Sequence, residues 1–150
     1  MIASDSVCAD ASVFIASLRP DEPFHREAAE FVVSARENQT FLVEPDIVVF
    51  EVSSVLHRKV LWGEMKAAEA EEAMGLFYEL PLLLQWQQPI FSRAFAHARK
   101  FGSKSISDSL YVAVAESRGV PLVTLDDQLL KRGRSSYSKI MTPRSFLMAN

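Results

Sequence analysis

Val7-Cys8-Ala9-Asp10-Ala11-Ser12 is the stretch that decides how the 150-residue sequence is read. Small and apolar residues run into an aspartate, and the pattern turns helical at once with Ser12-Val13-Phe14-Ile15-Ala16. An apolar run that ends in Asp reads as a buried strand delivering a carboxylate to its C-terminal end. In open α/β sheets that edge is where ligands bind. The competing reading is that Asp10 is only the N-cap of the helix that follows. Three further stretches carry acids in comparable places, and they bring chemistry into consideration.

Working outward, helix and strand patterns alternate along the whole chain. Strands are expected at about residues 6–10, 40–43, 80–85, 121–124 and 139–141. Helices are expected at about 11–18, 24–36, 46–60, 64–78, 89–101, 105–117, 126–131 and 143–147. Asp46 reads as an N-cap, Pro20 and Pro23 break the chain into a loop, and Gly102 and Gly119 close helices. The alternation predicts a three-layer α/β/α sandwich around a mostly parallel sheet, in a single domain spanning 1–150.

Composition narrows the class. Hydrophobic residues at 49% and charged residues at 23% fit an ordinary globular chain with a core of its own. One cysteine, Cys8, excludes an intramolecular disulfide framework, and mid-strand it reads as a buried, inert thiol. Met1-Ile2-Ala3-Ser4-Asp5 lacks the basic and apolar regions of a secretory leader, and no apolar run is long enough to span a bilayer. The expectation is a cytoplasmic protein without membrane contact. Net charge is −3; with four acids set apart in one site, the remainder is slightly positive, so an anionic substrate stays open.

Those four acids are Asp10, Glu51, Asp108 and Asp126. Glu51 edges the apolar stripe of Val48, Val52, Val55 and Leu56, with no basic residue one helical turn away. Asp108 opens the helix Ser107-Asp108-Ser109-Leu110-Tyr111-Val112, where the helix dipole also favours an acid. Asp126 ends Leu122-Val123-Thr124-Leu125-Asp126-Asp127, and Asp127 could serve in its place. Acids gathered at one sheet edge repel one another unless a cation is present, and carboxylate oxygens select Mg²⁺ or Mn²⁺. There is no zinc spacing, since His25, His57 and His97 are scattered on helices, and no phosphate-binding glycine loop. A carboxylate-held Mg²⁺ on an α/β fold suits phosphoryl or phosphodiester chemistry. A phosphatase built on Asp-x-Asp is not supplied by Asp10-Ala11-Ser12, and a receiver domain's late strand-end lysine is not evident.

On these motifs, together with Glu44-Pro45-Asp46-Ile47-Val48-Val49-Phe50-Glu51 and the ending Ile140-Met141-Thr142-Pro143-Arg144-Ser145-Phe146-Leu147, the chain resembles the PIN-domain ribonucleases. Among them it resembles the VapC-type toxins of bacterial and archaeal toxin–antitoxin pairs. The resemblance implies Mg²⁺- or Mn²⁺-dependent hydrolysis of RNA, with Asp10, Glu51, Asp108 and Asp126 as metal ligands and catalytic residues. Ser12 and Thr124 match the family's supporting polar positions, with Asp127 beside them. Ser54 stands where many relatives have Asn, and Ser109 where Ala or Cys is common. RNA, single-stranded or looped, would be held at the rim, with Arg19, Arg58, Lys59, Lys104, Lys131, Arg132 and Arg134 as candidates. The resemblance further implies a cognate antitoxin protein lying near the helix pair 46–60 and 64–78, with Trp62, Met65 and Phe77 as groove residues, and a homodimer. An RNA-processing nuclease without an antitoxin and a non-catalytic PIN binding module are the alternatives.

Overall fold

The computed structural model describes residues 5–150, so the leader expectation, which rests mainly on residues 1–4, lies outside the described residues. Five strands form the sheet: β1 (Ser6–Ala9), β2 (Phe41–Pro45), β3 (Leu82–Gln85), β4 (Leu122–Val123) and β5 (Ile140–Met141). The helices are α1 (Ala11–Leu18), α2 (His25–Glu37), α3 (Ile47–Leu61), α4 (Ala67–Tyr78), α5 (Gln88–Phe101), α6 (Ser107–Arg118), α7 (Asp127–Gly133) and α8 (Pro143–Ala149). Every pairing is parallel, in the order β3-β2-β1-β4-β5.

That order explains the layers. The chain moves outward from β1 to β3, then crosses back past β2 and β1 to β4 and β5. Right-handed crossovers in opposite directions put their helices on opposite faces. α6 packs on β1, β2 and β4 and is covered by α5, while α1 packs on α2 and α3, and α2 on α8. Residues Ser109–Ala115 of α6 are buried without interruption, as a helix between a sheet and another helix must be. On the other face Phe14 and Phe77 meet edge to face at 5.3 Å, and Phe31 and Phe146 do likewise. β1 and β4 are adjacent strands from which the order runs in opposite directions, so the switch point lies between them.

The residues Val7, Cys8, Ala9, Leu42, Leu122 and Val123 are fully buried, as strands covered on both faces require. The expected acid-terminated strands are present, although β4 is only two residues long. Two local expectations are corrected. Asp46 sits in helical conformation and its side chain caps nothing. Phe77 and Met65 are buried, and Phe77 backs an apolar cavity between α1, α2 and α4 instead of the α3–α4 face. No helix among the described residues is long and apolar enough to cross a membrane.

Candidate functional site

β1 pairs with β4 right up to the site: the Asp10 amide donates to the Val123 carbonyl at 3.1 Å. Beyond it the two chain ends are stitched together by side chains. Asp10 occupies the N-cap position of α1 but caps nothing. Its Oδ2 accepts from the Thr124 hydroxyl at 2.7 Å, and its Oδ1 accepts from the Ser12 hydroxyl. Ser12 Oγ in turn accepts from the Leu125 amide at 3.1 Å, and Thr124 Oγ1 from the Asp126 amide at 3.0 Å. Both supporting hydroxyls therefore fix the orientation of Asp10, and Thr124 ties it to the segment that carries Asp126.

The other acids approach from helix ends. Asp108 lies in the first turn of α6 and is half-buried. Glu51, half-buried on α3, accepts from the buried Tyr111 hydroxyl at 2.6 Å. Asp126 caps α7, its Oδ1 accepting from the Gln128 and Leu129 amides at 2.8 and 3.2 Å. It is thus both a structural cap and a member of the cluster. Asp127 is exposed in the first turn of α7 and contributes to none of the shifts described next.

Electrostatics joins the four acids. Burial raises the Asp10 pKa from 3.8 to about 7 against the pull of its two hydroxyls, and the charges of Asp108 and Asp126 push the same way. Burial raises Asp108, helped by Asp126. Burial also raises Glu51; its bond from Tyr111 opposes the rise and the Asp108 charge adds to it. A buried carboxylate facing like charges, with no Lys or Arg paired to it among the described residues, is poised to accept a cation. The donors are all hard oxygens, which suits Mg²⁺ or Mn²⁺. In the conformation described, no three acid, His or Cys side chains are already close enough to enclose an ion. Glu51 in particular is directed to Tyr111.

Sequence reasoning did not single out Glu44. It is fully buried in β2, and its Oε1 accepts from the Ala9 amide at 2.8 Å while the Cys8 thiol donates weakly to Oε2 at 3.5 Å. β1 and β2 pair in register only at Ser6↔Phe41 and Val7↔Leu42. Past that point the strands part, and the Glu44 carboxylate supplies the acceptor that a β2 carbonyl no longer offers. Amides along β2 alternate between neighbours, which turns position 45 toward β1; proline, lacking an N–H, leaves no donor unpaired there. Burial raises Glu44 well above the usual carboxylate range and also raises the Cys8 thiol, so Cys8 stays the inert thiol expected. The sequence signal for Glu44 was an acid inside an apolar strand; the missing part was the divergence of the strands.

The rim cations differ in their freedom. Arg19, only 11% exposed, pairs with Asp21 at 2.8 Å, and Lys59, 13% exposed, pairs with Glu22 at 2.7 Å and Glu64 at 3.4 Å. Their charges are locally neutralised. Arg58, Lys104, Lys131 and Arg132 are exposed, as is Arg134, whose Nε donates to the Ile140 carbonyl at 3.0 Å.

Comparison with known proteins matches a PIN domain family model to residues 7–134. Ribonuclease VapC3 of Pyrobaculum aerophilum is 32% identical over 137 residues, covering 89% of this chain and 96% of the relative. The crystal structure of PAE2754 from Pyrobaculum aerophilum superposes with a TM-score of 0.71 at 20% identity, covering 96% of both chains. That of VapC20 from Mycobacterium tuberculosis, described as a sarcin–ricin loop cleaving toxin, superposes with a TM-score of 0.65 at 15% identity, covering 85% of this chain and 95% of that one. At those identities the two structures establish the shared fold.

Proposed function

The chain belongs to the PIN-domain family, and we propose that it is a divalent-metal-dependent endoribonuclease acting as the toxin of a toxin–antitoxin pair. The observation that carries the nuclease reading is Asp10: a buried carboxylate oriented by two hydroxyls, facing Asp108 and Asp126 across the switch point with no Lys or Arg paired to it among the described residues. Asp10, Glu51, Asp108 and Asp126 would hold Mg²⁺ or Mn²⁺ directly or through water. When bound, the ion supplies Lewis acidity toward a phosphodiester and acidifies water for in-line attack.

The chain's own residues do the positioning. Ser12 and Thr124 hold the two Asp10 oxygens in place, Tyr111 orients Glu51, and the α6 N-terminus adds positive potential beside Asp108. Exposed Lys104, Lys131, Arg132 and Arg134 would meet the RNA backbone. The toxin assignment is supported by the VapC name of the 32% identical relative; an antitoxin partner, a homodimer and a cytoplasmic location follow from that reading. The processing-nuclease alternative differs only in lacking an antitoxin, and a small open reading frame next to the gene whose product blocks cleavage would decide between them.

The direct test is cleavage of single-stranded RNA with Mg²⁺ or Mn²⁺. Asp10→Asn preserves shape and removes one ligand charge, so it should lower the rate by at least roughly a thousandfold while the protein stays folded, and EDTA should stop the parent. Undiminished cleavage by Asp10→Asn, or in EDTA, would refute the metal-dependent assignment, and a parent that cleaves with neither ion would leave the non-catalytic reading.

A further inference from the structure

Next to the acid cluster lies an open cavity of about 450 Å³ that none of the acids lines. Its inner wall includes Ser12, whose hydroxyl braces Asp10, and Leu125, whose amide in turn holds Ser12. Ile15 and Val55 give it an apolar floor, and Phe24 and Trp62 stand at its margin. Both rings are largely in solvent, 61% and 67% exposed, although an aromatic ring gains most by burial. Neither position is casual. Phe24 takes a left-handed backbone at φ 61, unusual and strained for a bulky residue. Trp62 sits at the C-cap of α3, which Gly63 at φ 71 terminates, so the ring is carried on a fixed helix end.

The charges favour an anionic occupant. Glu22 and Lys59 both line the cavity, but they neutralise each other at 2.7 Å. Arg58 is exposed there and makes no ion pair among the described residues. Apolar floor, exposed rings and one uncancelled guanidinium form the combination with which proteins hold unpaired nucleotides, bases on the rings and phosphates on the cation. Continuity with Ser12 places the cavity beside the position of a phosphodiester at Asp10.

We propose that this cavity is a subsite for an unpaired nucleobase flanking the cleaved phosphodiester, with the base stacked on Trp62 and its phosphate met by Arg58. The inference rests on the ribonuclease reading for the identity of its ligand. It also reassigns Trp62 from the antitoxin groove expected from sequence to the substrate side.

Three measurements test it, the last separately from that reading. Against a single-stranded oligoribonucleotide that the parent cleaves, Trp62→Ala should raise KM roughly tenfold with kcat within about twofold, and Trp62→Phe should restore KM. An oligonucleotide made abasic on the subsite side of the cut should bind the parent as weakly as the intact one binds Trp62→Ala. In a Trp86→Phe background Trp62 is the only tryptophan, and its emission should be quenched by the intact oligonucleotide but not by a fully abasic one, with Ca²⁺ as the ion. Quenching without cleavage would refute the nuclease reading and uphold nucleobase binding. An unchanged KM in Trp62→Ala, equal response to intact and abasic strands, or loss of binding only to a protein partner would each overturn the subsite.

Discussion

Asp10, just past the end of β1, and Glu44, in the neighbouring β2, are both buried carboxylates, and burial raises the pKa of each. Their partners differ. Asp10 lies on the side where β1 stays paired with β4, and it is held by hydroxyls while facing Asp108 and Asp126. Glu44 lies on the side where β1 and β2 part, and it is held by a backbone amide and a thiol inside the sheet. One carboxylate is oriented toward other charges and the other replaces a missing rung of the ladder. Burial alone therefore does not mark a reacting acid, and the Asp10 charge raises Glu44 as well; what sets Asp10 apart is that it faces two further acids at the sheet edge.

Substitutions at three positions probe that contrast. The largest effect belongs to Glu44→Leu, which keeps the bulk but leaves the Ala9 amide without an acceptor. It should cost about 1–3 kcal/mol in chemical denaturation, whereas Glu44→Gln, which still accepts that bond, should match or exceed the parent's stability and keep cleavage activity. An inactive Glu44→Gln with an intact fold would move Glu44 into the reacting set and erase the distinction.

Tyr111→Phe comes next. It removes only the hydroxyl that orients Glu51, so cleavage should fall roughly tenfold with stability changed by about 1 kcal/mol. Unaltered kinetics would mean that Glu51 needs no positioning. The smallest effect is expected for Asp127→Asn, with activity within about twofold and about 0.5 kcal/mol lost at the α7 N-terminus. If this variant is inactive and Asp126→Asn active, the two acids exchange roles.

The sequence made Asp10 and Asp126 legible because apolar strands run straight into them, and Asp108 because the α6 pattern begins beside it. The parallel sheet followed from the same alternation. What stayed hidden depends on contacts far apart in the chain. Glu44 meets Ala9 across 35 positions and Tyr111 meets Glu51 across 60. Lys59 is neutralised by Glu22 from the loop between α1 and α2, so it looked like a free surface cation. Phe77 read as part of the α3–α4 face because nothing local reveals that Phe14 lies against it on the other side. Local sequence shows where an acid leaves a strand; it does not show which strands diverge there.

The central claim is that Asp10 belongs to a cluster awaiting a divalent cation, and a melting series with and without Mn²⁺ across pH tests it most directly. The folded pKa of Asp10, about 7, lies above its ordinary 3.8. The folded state therefore holds this proton more tightly than the unfolded chain, and the associated stability, about 4 kcal/mol, drains away as pH rises from about 4 through about 7. The raised pKa values of Asp108 and Glu51 act in the same direction. The metal-free melting temperature should accordingly fall across that window. Mn²⁺ binds the ionised carboxylates, so its stabilisation should be slight near about pH 5 and on the order of 5 °C or more near about pH 8 at saturation. Asp10→Asn should lose most of the Mn²⁺ response and its own share of the pH slope, keeping the share that buried Glu44 contributes. A parent that ignores Mn²⁺ at every pH, or an Asp10→Asn variant that responds as fully as the parent, would contradict the account.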